Sequence, residues 1–283
     1  MKKWTKVLLG ALCTVSTLSM VACGGGGEST PEGYAKVDNL NGKTAEQTYN
    51  DIMTVINDCK GNFTCTTTYD AVCTVSGSGL PEDMEVPMDI TVIDKIDGAN
   101  LYEYSYVDTG DFGETRKLQV WYIEEEVDGT VSGTAYAKQD NGQLMSANMT
   151  WTEICESAGM DPDKIFSPLY DFSDYSFSNV SFFVDENVED ETDVPSYFKL
   201  IIKGDKAEEF ANNTMKVALE GAKTKFSNIE YRFVLTDEGT FDHAEIYYTV
   251  TMKISGFTYK YVFDGDIVFS DIGTTVVTAP VTA

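Results

Sequence analysis

Histidine is nearly missing from this chain: its 283 residues hold one, His243. A Ser–His or Cys–His pair would have that single base to draw on, and neither G-x-S-x-G nor H-E-x-x-H occurs. Nucleophilic and zinc-protease chemistry therefore lack their sequence signatures. Positive charge is scarce as well, with 20 Lys and Arg against 46 Asp and Glu and a net charge of −26. Nucleic acid is bound by cations that displace counterions, so this balance excludes nucleic acid as a partner. It equally opposes direct adsorption to anionic headgroups. What it favours is a soluble, self-repelling acidic surface. Apolar runs are short, and none reaches the roughly 20 residues that span a bilayer.

The first 23 residues have an organisation of their own. Lys2, Lys3 and Lys6 are followed by the apolar run Val7–Leu18 and then by Met20-Val21-Ala22-Cys23. Positive start, short hydrophobic region and small residue before a cut make a secretory signal. The last four residues resemble the bacterial lipobox. That resemblance implies cleavage after Ala22, diacylglycerol on the Cys23 sulfur and palmitate-type acylation of the new N-terminus. Two or more acyl chains anchor stably where one does not. The expected partner is then the membrane, reached through the lipid on Cys23, and the expected location is the extracytoplasmic face of the cell membrane. Three of the 20 basic residues and none of the 46 acidic ones lie in the signal, so the mature chain is more acidic still.

Gly24–Gly27 and Glu28–Gly33 carry no aliphatic side chain and read as a flexible tether. The division is a signal at 1–22, a lipidated Cys and Gly-rich tether at 23–43, and one folded domain at 44–283. Cys13 leaves with the signal and Cys23 takes the lipid. Cys59, Cys65, Cys73 and Cys155 remain, too few for a disulfide scaffold and spaced like no zinc site. Cys65 and Cys73 share one strand about 26 Å apart and do not bridge each other. Buried free thiols are the reading for these four, with a Cys59–Cys155 bridge as the alternative. No metal site, cofactor or catalytic residue is expected.

Thr44 and Gln47 form a capping box before an apolar stripe of Tyr49, Ile52, Met53 and Ile56, which predicts a helix over Ala45–Asp58. Strict alternation from Phe63 to Val75 predicts a half-buried strand. Further strands are expected at 88–94, 99–107, 116–123 and 130–138, separated by Asp97-Gly98, Asp128-Gly129 and Asn141-Gly142. Thr150 and Glu153 cap a helical stretch over 151–172. Strands resume at 176–184 and 197–203 around the acidic loop Asp185–Asp193. That loop lacks the sixth-position Gly and final Glu of an EF-hand and reads as solvated. Asp205 and Glu208 open a helix reaching about Lys223. Strands at 229–236, 241–254 and 257–269 close the chain. The fold class is α+β, built on a large antiparallel sheet.

The last strands carry a broad apolar face. Phe257, Tyr259, Tyr261, Phe263, Ile267 and Phe269 share one side of the final strand, with Gly265 as a bend. Ala244, Ile246, Tyr248, Val250, Met252 and Ile254 share one side of the strand before it. His243 falls on the polar side. This layout of lipidated Cys, Gly-rich tether, N-terminal amphipathic helix and long antiparallel strands resembles the LolA-like superfamily, including LppX- and LprG-type surface lipoproteins. The end at Val276-Val277-Thr278-Ala279-Pro280 resembles that group's C-terminus. The resemblance implies a curved half-barrel, helices on or in its concave face, a hydrophobic or amphiphilic ligand, and no catalytic residues. Tyr248, Phe257, Tyr259, Tyr261 and Phe263 are the expected ligand face. The alternative is a module with a filled core whose acidic exterior meets a protein partner. An extracellular hydrolase built on a carboxylate pair ranks third.

Overall fold

The computed structural model describes residues 30–31, 33–58, 61–80, 82–113, 115–158, 181–185, 196–203, 206–207 and 223–281. The signal, Cys23, residues 159–180, most of the acidic loop and most of the third expected helix lie outside the described residues.

The first half of the fold comprises β1 (Tyr34–Val37), α1 (Ala45–Asp58), β2 (Asn62–Gly77), β3 (Met84–Asp97), β4 (Asn100–Asp108), β5 (Thr115–Val127), β6 (Thr130–Gln139), β7 (Leu144–Asn148) and α2 (Trp151–Ala158). The second comprises β8 (Phe182–Asp185), β9 (Tyr197–Ile202), β10 (Lys223–Phe226), β11 (Ile229–Leu235), β12 (Phe241–Ile254) and β13 (Phe257–Ser270). All thirteen strands join one antiparallel sheet in the order β1-β8-β9-β11-β12-β13-β2-β3-β4-β5-β6-β7, with β10 pairing β12 beyond the end of β11. The path is open, so the sheet is not closed into a barrel.

Two meanders meet where β13 pairs with β2 along its whole length, from Phe257↔Gly77 to Ser270↔Thr64. The tight turns follow their sequences. Asp128 and Gly129, and likewise Ser255 and Gly256, all take positive φ, as a two-residue type I′ hairpin requires. Pro87 sits inside β3 but beyond the last residue that pairs with β4, where its missing N–H costs no ladder bond.

Both capping boxes form. The Thr44 N–H donates to Gln47 Oε1 at 2.9 Å and the Gln47 N–H to Thr44 Oγ1 at 3.3 Å. Thr150 and Glu153 repeat the exchange at 2.8 and 3.2 Å. A helix as short as α1 is marginal alone. It is held to the inner face by Tyr49 and Ile52, each buried side chain contributing about 1.5–3 kcal/mol. The Tyr49 ring meets Phe233 edge-on at 5.6 Å. α2 docks through buried Ile154 and through Trp151, whose N–H donates to the Tyr122 hydroxyl at 2.8 Å.

Three strands depart from the sequence reading. β1 lies inside the stretch 23–43 read as tether and pairs with β8, where the Tyr34 ring packs edge-on against Tyr197 at 5.2 Å. β7 and β10 are short edge pieces whose four or five residues carry too little alternation to be seen beforehand. Lys223, expected as the end of a helix, instead opens β10. Gly265 takes no positive φ. It faces the Tyr69 ring so closely that a Cβ would overlap the ring carbons, so it serves as a seat for that ring rather than as a bend.

The inner face forms one continuous core from Phe198 and Phe233 through Tyr248 and Tyr69 to Val120 and Tyr122. On the outer face a row of aspartates stands in register across four neighbouring strands: Asp264, Asp70, Asp89 and Asp108.

Candidate functional site

Of the five residues expected as a ligand face, two are core. Tyr248 is 1% exposed and Phe263 6%, and their rings stack at 4.2 Å with 11° between planes. Tyr69 closes on Phe263 edge-to-face at 5.9 Å. Burial leaves neither accessible. Toward the β12–β13 turn the same face opens: Val250, Met252, Ile254, Phe257, Tyr259 and Tyr261 are all half-buried.

The register makes these six one patch, with Val250 opposite Tyr261, Met252 opposite Tyr259 and Ile254 opposite Phe257. β2 continues it through Cys73 opposite Tyr261 and Val75 opposite Tyr259. Gly77 faces Phe257, where a Cβ would meet the ring at 2.7 Å, so the glycine allows the ring to lie across the neighbouring strand. Tyr261 stands opposite Cys73, and burial pushes both the phenol and the thiol above their ordinary pKa. This strip presents apolar rings with polar tips, the surface an amphiphile can use.

Sequence reasoning missed a second feature of the inner face. Asp94 on β3 stands directly opposite Glu103 on β4, and Cys65 on β2 stands opposite Asp94. Leu101, Ile96, Val92 and Val120 surround the row and are buried. Glu103 is 4% exposed, and its Oε1 has no hydrogen-bond partner among the described residues. Burial raises the pKa of both carboxyls, and the neighbouring Asp94 raises Glu103 further. Burial likewise raises the Cys65 thiol, which makes it a poor nucleophile. The signal was present as a polar residue at an inward position in each of two alternating strands, but acids are too common here for either to stand out.

A shallow cavity of about 350 Å³ lies one row away, lined by Ser105, Arg116, Lys117, Leu118, Gln139, Asp140 and Asn141. Leu118 is the one apolar residue of that lining, and the cavity lies on the β4–β6 half of the sheet, separate from the aromatic strip.

His243 sits on the outer face, as its strand parity implies, but is half-buried rather than open. Cys65 and Cys73 are free thiols in the core. Cys59 and the side chain of Cys155 lie outside the described residues, as does Cys23.

No family model matches the chain, and no curated protein matches it. Among solved structures, a DUF1329 family protein from Desulfovibrio piger is similar over 78% of this chain and 89% of that chain, at 10% identity and a TM-score of 0.22. A likeness at that score carries no argument for fold or function.

Proposed function

We propose that the protein is a lipoprotein anchored through Cys23 at the extracytoplasmic face of the cell membrane, and that it binds a hydrophobic or amphiphilic ligand, as LolA-like proteins do. It acts by holding its ligand, without catalytic residues of its own. The observation that carries this reading is the half-buried strip Val250, Met252, Ile254, Phe257, Tyr259 and Tyr261, which continues the core face past the point where the core is closed. Each buried CH₂ of a ligand contributes about 0.8 kcal/mol, so a chain laid along these rings gains useful affinity without full enclosure.

The test compares Tyr259→Asp and Tyr261→Asp with Lys260→Asp, which faces the opposite side and is exposed. Wild type and Lys260→Asp should carry fatty acid or phospholipid in native mass spectrometry, and the two tyrosine variants should not. If folded wild type accepts no lipid at all, the strip is an interface or part of a filled core. The module with a protein partner then takes this reading's place.

A further inference from the structure

The one histidine of the chain stands in a bulge. Between β11 and β12 the register runs Val234↔His243 and then Leu235↔Phe241, so Asp242 is an extra residue on β12. A bulge of this kind turns two successive side chains to the same face. The result is visible in what each residue does. Phe241 packs on the inner core, while Asp242 and His243 meet on the outer face. Asp242 Oδ2 lies 2.7 Å from His243 Nδ1. In the neutral ring that contact places the proton on Nδ1, because a carboxylate can only accept. Nε2 is then left with its lone pair free.

Two carboxylates converge on this imidazole. Glu245 is two residues along the same face, and Asp266 stands directly opposite Glu245 on β13. One ligand atom from each of His243, Glu245 and Asp266 can be chosen so that all three lie within 4.8 Å of one another. Glu245 is held from behind: its Oε2 accepts the Tyr247 hydroxyl at 2.7 Å and Arg232 Nη1 at 3.2 Å, so its other oxygen can face the cluster. Arg232 is itself paired with Glu230 at 2.8 Å, which offsets the positive charge behind the carboxylate. On its other side His243 adjoins Val234, which is 3% exposed, so part of the cluster's wall is apolar.

We propose that His243, Glu245 and Asp266 bind a divalent transition cation of borderline softness, Zn²⁺ or a first-row neighbour. The donor set selects that class: an imidazole is a poor ligand for Ca²⁺ or Mg²⁺, whereas one nitrogen with two carboxylate oxygens suits zinc and its neighbours. Three protein donors leave further positions to water. The Asp242–His243 contact is the arrangement in which metal-binding histidines are commonly held, a carboxylate on one ring nitrogen orienting the other toward the ion. Sequence reading assigned His243 to solvent because the third donor lies on another strand and Asp242 reaches the ring only through the bulge. The site is on the outer face and is independent of the lipid strip.

The experiment is a calorimetric titration of chelator-treated, dialysed mature protein with Zn²⁺ alone, in about 0.15 M NaCl to screen diffuse acidic attraction. The expected result is one site per chain, lost in His243→Ala and in Asp266→Asn. Asp242→Asn should weaken it by about 10–100-fold. Asp89→Asn, which removes one charge from the aspartate row on the same face, should leave it unchanged. Asp266 is exposed, so its variant tests the site even if the histidine variant folds poorly. Zinc binding that survives both His243→Ala and Asp266→Asn, or wild type that takes up no Zn²⁺ in this titration, overturns the proposal.

Discussion

Asp94 and Glu103 face each other across β3 and β4 on the buried side of the sheet, two carboxyls with apolar neighbours and no cation among the described residues beside them. Like groups directly opposite on a sheet repel when both are charged, and a buried carboxylate loses its hydration as well. Both effects favour the protonated form, so the pair is accommodated as at least one neutral acid.

That pairing makes stability fall as pH rises. Both acids have folded-state pKa values above those of the unfolded chain, so the folded protein keeps protons that the unfolded chain releases. The benefit is fully present below about pH 4, the ordinary carboxylate value, and is lost as pH climbs through Asp94's value of about 7. Glu103→Gln keeps the shape and removes one ionisable group. It should flatten the decline between pH 4 and 8 and stabilise the protein by about 1–2 kcal/mol at pH 8, a shift of roughly one pKa unit in effect. Urea unfolding at pH 4, 6 and 8 reads this directly, and parallel curves for the variant and wild type would refute it.

Gly265 should tolerate no side chain. Alanine there pushes on the Tyr69 ring and on the Thr68 carbonyl, which would lie 2.8 Å from the new methyl group. Overpacking of this kind costs about 1–3 kcal/mol. Shrinking the ring in a Gly265→Ala, Tyr69→Leu double variant should recover part of the loss. Denaturant midpoints of the two single variants and the double variant test this, and simple additivity would argue against the ring as the cause.

Cys65 and Cys73 should be silent to thiol reagents in the folded state, because burial raises both thiols and hides them from solvent. Both should react once the unreduced protein is unfolded in guanidinium. In a mature chain carrying Cys59→Ser and Cys155→Ser, a titre below two thiols per chain under those conditions would mean that one of them is paired.

Replacing Cys23 by Ala should abolish incorporation of labelled fatty acid and release the protein from the membrane fraction. Label persisting in the Cys23→Ala chain would place the acylation elsewhere.

The sequence by itself determined what depends on neighbours along the chain. α1 begins and ends where Thr44, Gln47 and the Tyr49–Ile52 stripe place it, because a capping box and a helical stripe are local. The extents of β12 and β13 follow from the alternation that runs from His243 to Ile254 and from Phe257 to Phe269, and from Ser255-Gly256, whose turn geometry is equally local. Three other features depend on strands far apart in the chain. The joining of β2 to β13 brings together residues nearly 200 positions apart, and no periodicity encodes that choice. The acid pair arises because two separately unremarkable inward acids come into register, and the split of the aromatic face into core and open strip depends on what packs above each row. The bulge at Asp242 has the same character: a single extra residue, fixed only by the register of β11 against β12, brings a carboxylate onto the face of the lone histidine. Alternation says which face a side chain takes, but register alone decides its neighbours on that face, and register is settled by packing of the whole sheet.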